Sequence, residues 1–266
     1  MTNLRFTTTY LRIYKTFLRS VATFLRYNCD KFTAQNMQRI MRKQLTVRIK
    51  NDLNKSSYSL NLNELRIIFC AITKIPTNDV LNTDIYYVNA EDLISLGANK
   101  KTVYSQIKNA ADTLPNRYVV LPDDRTKFFW IKSIDYKTGE GRVGLQFSNE
   151  LLPYIALIKN NFTKFQLEEI ADLKSIYAIR VYSMLMQFRD KGTLFISVDE
   201  LRKRLVLTDK LIKYADFKKR VIDAAIDQIN QSLSTEIFVD LSEKKRGRKV
   251  DSLIFSFGEK NTVEME

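Results

Sequence analysis

The sequence contains no histidine among its 266 residues and only two cysteines, Cys29 and Cys70. The absence of histidine excludes histidine metal ligands, acid–base catalysis by histidine, and the serine or cysteine triads that depend on it. The two cysteines have no metal-ligand spacing and indicate no disulfide framework, which fits a reducing cytoplasm. We expect no metal, no cofactor and no catalytic residue, and we expect Cys70 to be a small core residue.

Long apolar runs and nucleotide-binding loops are also missing from the sequence. No run of about 18 apolar residues occurs, so we expect no membrane-spanning helix. No Gly-x-x-x-x-Gly-Lys-Ser/Thr loop occurs either, so we do not expect the chain to hydrolyse ATP. The apolar content of 45% is that of a folded protein, and the length leaves room for two domains, each with its own core.

The positive charge of the chain is concentrated at its amino terminus. The net charge is +13, and residues 1–50 carry 11 lysines and arginines against one acid, Asp30. Apolar residues repeat at helical spacing through residues 1–45, and arginines interrupt every apolar stretch that a secretory signal would need. Three interpretations of this extension stay open: a basic arm for DNA or another anionic surface, a packing helix, or translated sequence upstream of a start near Met41.

Residues 217–230 predict an amphipathic helix when they are placed on a helical wheel. Its apolar stripe consists of Phe217, Val221, Ile222, Ala224, Ala225, Ile226 and Ile229. The opposite face, including residues just before the helix, consists of Lys213, Asp216, Lys219, Arg220, Asp223 and Asp227. Such a helix can pack its back on a core while its basic leading turn, with Lys210 and Lys213 ahead of it, enters a DNA major groove. Lys218 lies on the flank of the stripe and is a weaker candidate for outward contact.

A basic hairpin is predicted directly after this helix. Two strand-like runs are joined by residues 242–249, and five basic residues surround Gly247 in that connection: Lys244, Lys245, Arg246, Arg248 and Lys249. Such a tip suits the phosphate backbone beside a groove. For either piece alone a solvated charged face is the simpler interpretation, but a helix followed by a basic hairpin is the winged-helix arrangement and favours nucleic acid.

The first half of the chain predicts the same order of elements. The predicted elements are a helix starting at Asn61 or Asn63 and ending at Ile75, a strand over 85–89, a short helix over 90–96, a helix over 99–114, and strands over 117–121, 127–136 and 142–147. On the helix over 99–114 we expect Tyr104 to face inward. The residues left on or near its outer face include Lys100, Lys101, Ser105 and Lys108, which are candidate auxiliary DNA contacts.

The second half repeats the first. Tyr87-Val-Asn-Ala-Glu-Asp-Leu corresponds to Phe195-Ile-Ser-Val-Asp-Glu-Leu, and Tyr104 and Lys108 correspond to Tyr214 and Lys218. The sequence therefore predicts an α+β protein with two tandem winged-helix domains in pseudo-repeat. We expect a basic extension over 1–45, a first domain over 46–150, a second over 151–258 and a tail over 259–266.

At this point the chain resembles the plasmid replication initiators that carry two winged-helix domains and bind repeated origin sequences called iterons. The resemblance covers residues 47–257. Eight stretches carry it in order: Lys50-Asn-Asp-Leu, Leu60-Asn-Leu-Asn-Glu-Leu-Arg-Ile-Ile, Ala111-Asp-Thr-Leu-Pro-Asn-Arg, Val143-Gly-Leu-Gln-Phe-Ser, Phe162-Thr-Lys-Phe, Leu173-Lys-Ser-Ile-Tyr-Ala-Ile-Arg-Val-Tyr, Tyr214-Ala-Asp-Phe-Lys-Lys-Arg-Val-Ile-Asp and Ala225-Ile-Asp-Gln-Ile-Asn. Gln228 departs from the acid usual in the family, and the first 45 residues have no counterpart.

The resemblance implies how the parts work. The second domain would read bases, and the first would add DNA contacts and dimerisation. Dimers would repress the initiator's own gene, while monomers would open the plasmid origin and recruit the replicative helicase of a bacterial host. Two alternatives belong to other classes: a tandem winged-helix transcription regulator without a replication role, and a rolling-circle nicking enzyme, which usually needs a histidine-bound metal.

Overall fold

The computed structural model describes residues 45–76, 83–137 and 139–260. These residues belong to the unit Leu45–Glu266. The predicted extension lies outside the described residues except for Leu45, and the predicted tail except for Glu259, which ends the last strand, and Lys260. Along the described residues, the predicted helices and strands occur in the predicted order, with further short helices and strands between them that the sequence does not predict.

The first half contains the following elements: β1 (Thr46–Lys50), α1 (Asn51–Lys55), β2 (Ser57–Tyr58), α2 (Leu62–Thr73), β3 (Tyr86–Asn89), α3 (Ala90–Ser95), α4 (Val103–Thr113), a 3-10 turn (Leu114–Asn116), β4 (Tyr118–Val120), β5 (Lys127–Phe129), β6 (Ile131–Lys137) and β7 (Arg142–Phe147). The second half contains α5 (Leu152–Ile155), β8 (Phe162–Gln166), a 3-10 turn (Leu167–Ile170), α6 (Ile176–Met186), β9 (Thr193–Ser197), α7 (Val198–Arg204), α8, β10 (Ile237–Arg246) and β11 (Lys249–Glu259). Helix α8 consists of Tyr214–Phe217, a π-helical turn Lys218–Asp223, and Ala224–Gln231.

Two three-stranded antiparallel sheets have the same topology, β3-β7-β6 in the first half and β9-β11-β10 in the second. In each, the strand before the short helix and the longer helix pairs with the last strand of the hairpin. The short helix that follows this strand begins at a polar cap in both halves, through opposite bonds: the backbone amide of Asn89 donates to the carboxylate of Asp92, and the hydroxyl of Ser197 accepts from the backbone amide of Glu200. The predicted tandem winged-helix fold is thereby confirmed.

Helix α2 begins at a capping box that the sequence contains as Asn61-Leu-Asn-Glu. The side chain of Asn61 accepts from the amide of Glu64 at 2.9 Å, and the carboxylate of Glu64 accepts from the amide of Asn61 at 2.7 Å. Glu64 also forms an ion pair with Arg117 at 3.0 Å, which connects the start of α2 to the segment before β4. Of the two predicted caps, Asn61 is therefore the correct one.

Two strand-like runs of the sequence are divided in the structure. The run over 46–54, which its sequence pattern predicts as a short strand, ends as a strand at Lys50 and continues as helix α1. The run over 127–136 breaks at Trp130, with β5 joining a separate sheet, β2-β4-β5, and β6 joining β3-β7-β6. The indole of Trp130 is 1% exposed and meets the ring of Tyr58 edge-on at 5.0 Å, so burial of this large ring turns the chain from one sheet into the other.

Helices α2 and α6 are the most buried helices of the two halves. Cys70 lies in α2 as a buried free thiol, and its burial raises the pKa of the thiol to about 12, as expected for a core residue. Within the described ranges, no helix combines the length and the apolarity that crossing a bilayer requires.

Strands β1 and β8 join the two halves. They pair antiparallel from Thr46 opposite Gln166 to Lys50 opposite Phe162, and each precedes the long buried helix of its own half. Val47, Ile49 and Phe165 are buried on this pair and belong to one apolar core that continues through both halves.

A buried polar group next to this strand pair connects the halves further. The amide nitrogen of Asn54 donates to the hydroxyl of Thr163 at 3.2 Å, the carbonyl of Ser183 at 2.9 Å and the side chain of Gln187 at 3.3 Å. Its amide oxygen accepts from the hydroxyl of Ser183 at 2.7 Å. Asn54 and Ser183 are both almost inaccessible to water, so these hydrogen bonds have no solvent substitute.

Arg180 is a second buried polar connection. Its Nη2 donates to the carbonyl of Ser56 at 2.7 Å and to the carbonyl of Arg204 at 3.0 Å, and its guanidinium lies 3.7 Å from the ring centre of Tyr58. Burial lowers the pKa of Arg180, because removing the guanidinium from water disfavours its charge. The carbonyls and the aromatic ring from both halves offset part of that loss of hydration, while Nε and Nη1 of Arg180 find no hydrogen-bond partner among the described residues.

We expect Asn54→Ala to destabilise the protein by about 2–3 kcal/mol, because it leaves buried groups of Thr163 and Ser183 without their partner. The measurement is the urea midpoint at unchanged slope. Asn109→Ala, at an exposed position of α4, is the control and should keep the wild-type midpoint. Equal midpoints for both variants would show that Asn54 does not stabilise the connection between the halves.

Candidate nucleic-acid interface

Helix α8 combines a buried back with an exposed basic front, as the helical wheel predicts, and its π-helical turn over Lys218–Asp223 lies within this region. Val221 and Ile222 are both buried, while Lys219 and Arg220 just before them are both exposed. The remaining buried contacts of the helix come from Phe217, Ala225 and Ile229; Ala224 and Ile226, also placed in the predicted stripe, are partly exposed.

The candidate contacts of the second half lie at the amino-terminal end of α8. Lys210 and Lys213 are exposed in the segment between α7 and α8, and Lys219 and Arg220 are exposed within the first two turns. Asp227 is exposed farther along the helix. The exposed cations are thus concentrated at the amino-terminal end of α8, where the helix dipole also favours negative charge, although Asp216 is an exposed acid in the first turn.

Tyr214 and Lys218 connect α8 to the hairpin β10–β11. The hydroxyl of Tyr214 donates to the carboxylate of Glu243 at 2.9 Å, and burial together with this hydrogen bond raises the pKa of Tyr214. The ammonium of Lys218 lies 2.7 Å from the carboxylate of Asp223 and 4.0 Å from that of Glu243. Lys218 is therefore directed along the protein surface toward two acids, in keeping with its predicted position on the helix flank.

The hairpin is more regular than the sequence predicts. Residues 242–249 are predicted as a connection, but β10 continues to Arg246 and β11 begins at Lys249, opposite it. The turn is only Gly247 and Arg248, and Gly247 has a φ of +63°, which two-residue hairpin turns require and glycine adopts readily. The five basic residues Lys244, Lys245, Arg246, Arg248 and Lys249 are all exposed around this turn.

The first half presents a similar but less basic surface. Lys100 and Lys101 lie in the turn before α4, Ser105 and Lys108 lie on α4, and all four side chains are exposed. The prediction for Tyr104 is wrong, because its side chain is 57% exposed. Its ring covers Gly141 in the β6–β7 hairpin so closely that an added Cβ would lie 2.3 Å from it. Tyr104 and its counterpart Tyr214 therefore both contact the hairpin of their own half.

Two family models match the chain in succession. The model described as Initiator Replication protein, WH1 matches residues 46–186, and the model described as Initiator Rep protein, WH2 matches residues 197–257. The chain belongs to this family of replication initiators. The first match extends beyond the predicted boundary at residue 150 and includes β8, the strand that pairs with β1.

Individual initiators show the same relationship. A replication initiation protein of Escherichia coli is 28% identical over 225 residues, which cover 80% of this chain and 69% of that protein. The PI protein of Escherichia coli is 27% identical over 253 residues, covering 81% of this chain and 83% of that protein. A crystal structure of the Pi initiator protein in complex with iteron DNA superposes with a TM-score of 0.71 at 27% identity, and covers 82% of this chain and 99% of that one.

The sequence indicates which cations are exposed but not which contacts orient them. It does not reveal the role of Glu243, because no pattern marks an acid beside five basic residues as a hydrogen-bond partner of Tyr214. The internal repeat offers one signal: it aligns Tyr104 with Tyr214, so both tyrosines can be expected to contact the hairpin of their own half. Arg202 contacts Phe217 and the segment before α8, and no sequence pattern marks it for these contacts either.

We expect alanine at all five basic positions of the β10–β11 turn to weaken binding to every duplex about equally. The slope of log affinity against log salt should decrease by roughly 0.9 for each phosphate that the variant no longer neutralises. Fluorescence anisotropy across a salt series measures both quantities. Lys191→Ala, an exposed change at the other end of the hairpin sheet, should leave the slope unchanged. A wild-type slope in the fivefold variant would mean that the tip is only solvated.

Proposed function

We propose that the chain binds repeated duplex sequences at a plasmid origin and thereby initiates plasmid DNA replication. The observation that carries the proposal is the pair of winged helices in one unit, each with exposed basic residues at the amino-terminal end of its longer helix. Membership of the initiator family supports the replication role, and the similarity to a Pi initiator complexed with iteron DNA supports the choice of ligand.

In this proposal the amino-terminal turns of α8 enter a major groove. Arg220 and Lys219 are placed to donate to the two acceptors on the edge of a guanine, which is the base that these side chains read best. Asp227, farther along the same face, is repelled by phosphate, so the helix enters by its first turns only. The hairpin tip binds the phosphate backbone beside the groove, which adds affinity without sequence preference.

Helix α4 makes the second contact in the proposal, through Lys100, Lys101, Ser105 and Lys108. Because buried hydrogen bonds and a common core connect the two halves, the spacing between α4 and α8 is fixed. Two modules on one face of a duplex should each take about 10 base pairs. The recognised repeat should therefore extend over roughly two helical turns.

The further roles follow from the family resemblance and are part of the proposal. A homodimer joined through the first domain would repress the chain's own gene, in equilibrium with a monomer that opens the origin and recruits the host replicative helicase. The role is non-enzymatic: the sequence has neither histidine for a nicking metal site nor a phosphate-binding loop for ATP hydrolysis.

We expect direct repeats of roughly two helical turns in the DNA that flanks the gene, protected by the purified chain in a footprinting experiment. A plasmid that carries the gene and this flanking DNA should be maintained in a bacterial host. The same plasmid with the repeats scrambled should be lost, although the protein is still made. Maintenance without the repeats would contradict the proposed origin function.

We expect Arg220→Ala to cost roughly 1–3 kcal/mol in binding to the cognate repeat and much less on a scrambled repeat, because a base contact has nothing to read there. Lys218→Ala is the matched control, since this neighbouring cation is already paired with Asp223 and should change binding less. Competition titrations with both duplexes measure the difference. If Arg220→Ala lost equal binding free energy on the two duplexes, Arg220 would contact phosphate and not a base.

A further inference from the structure

Ile212 is an exposed apolar residue in the segment that leads into α8. It lies one residue before the N-cap of α8, between Lys210 and Lys213, and its side chain is 81% exposed. Single exposed apolar side chains are common on protein surfaces, so the exposure alone indicates nothing. Two features distinguish Ile212 from other exposed apolar residues: it lacks a local packing partner, and the backbone around it is held in place by hydrogen bonds.

The first observation is that Ile212 lacks the local partner that its position offers. An apolar residue directly before an N-cap often packs on the fourth residue of the helix, which here is Phe217. Phe217 is fully buried, and the guanidinium of Arg202 lies 4.2 Å from the centre of its ring. Because Ile212 remains exposed, it does not form this contact, and Arg202 covers the ring.

The second observation is that the backbone at Ile212 is fixed. Arg202, which is 8% exposed, donates to the carbonyl of Lys210 at 3.2 Å and to the carbonyl of Ile212 at 3.3 Å. Leu211 has a φ of +51° and Val206 a φ of +55°, a region that residues with branched or bulky side chains rarely adopt. A strained segment bound by a buried arginine thus presents the isoleucine to solvent, and such strain is concentrated at functional sites.

The chemistry of a DNA major groove offers one apolar ligand for such a group, the 5-methyl of thymine. The other groups that distinguish the base pairs there are hydrogen-bond donors and acceptors, which an isoleucine cannot satisfy. One side chain is too small to form a protein interface of its own. The exposed lysines on either side match the phosphates that border the groove.

We propose that Ile212 is a specificity-determining residue that contacts the 5-methyl group of a thymine when the amino terminus of α8 enters the major groove. The inference rests on the proposed function. It adds an apolar component to a surface whose other candidate contacts, Lys219 and Arg220, read guanine or bind phosphate. The combination would select both a guanine and a thymine within the repeat.

The test uses the full chain and a duplex selected by it from a random library. Each thymine of that duplex is replaced singly by deoxyuridine, which removes only the methyl group. Wild-type protein should bind about fourfold more weakly at one or two uracil positions, the change that corresponds to one methyl group removed from water. Ile212→Ala should bind the thymine duplex more weakly and should no longer distinguish thymine from uracil at those positions.

The control is Leu233→Ala, at a 98% exposed position beyond the other end of α8, about 27 Å along the helix axis. This variant should retain the full sensitivity to uracil. An unchanged melting temperature of Ile212→Ala would show that the fold is intact, as its exposure predicts. A selected duplex for which uracil has no effect, or an effect that persists in Ile212→Ala, overturns the inference and leaves the proposed function standing. Failure to enrich any sequence from the library would overturn both.

Discussion

The arrangement of the two winged helices depends on hydrogen bonds that are buried where the halves meet. Arg180 donates to a carbonyl of the first half, at Ser56, and to a carbonyl at the end of α7, at Arg204. Asn54 bonds to β8 and α6 in the same buried region. A buried polar group without a hydrogen-bond partner costs about 1–3 kcal/mol. Moving one half relative to the other would break these hydrogen bonds and leave several buried groups without a partner. One relative orientation is therefore strongly preferred.

This orientation bears directly on DNA binding. A protein whose two binding helices are already at the correct spacing loses less conformational freedom on association than one whose domains move independently. The same logic applies within each half, where Tyr104 and Tyr214 connect the longer helix to its hairpin. In the proposed complex the groove-binding and phosphate-binding surfaces of each half are positioned by contacts that exist before DNA arrives.

Much of this fold can be predicted from local patterns. Asn61 and Glu64 mark the start of α2, and the period of apolar residues identifies both longer helices and their exposed cations. The features that escape prediction depend on contacts distant in sequence. Trp130, at the break between β5 and β6, packs on Tyr58, and the ring of Tyr104 lies on a glycine of the β6–β7 hairpin where no larger residue would fit. For the candidate interface, sequence indicates which charges are exposed, and only the structure indicates which side chains orient them.

The pairing of β1 with β8 has a consequence for the synthesis of the protein on the ribosome. Thr46 and Gln166 are partners across a separation of 120 residues. At a synthesis rate of about 5–20 residues per second, β1 waits roughly 6–24 s before its partner strand has been made. During that interval Val47 and Ile49 have no strand to cover them, and an unpaired strand edge can template wrong pairings. Throughout that interval the nascent chain carries an unpaired strand edge with two apolar side chains, and pairing with β8 removes both.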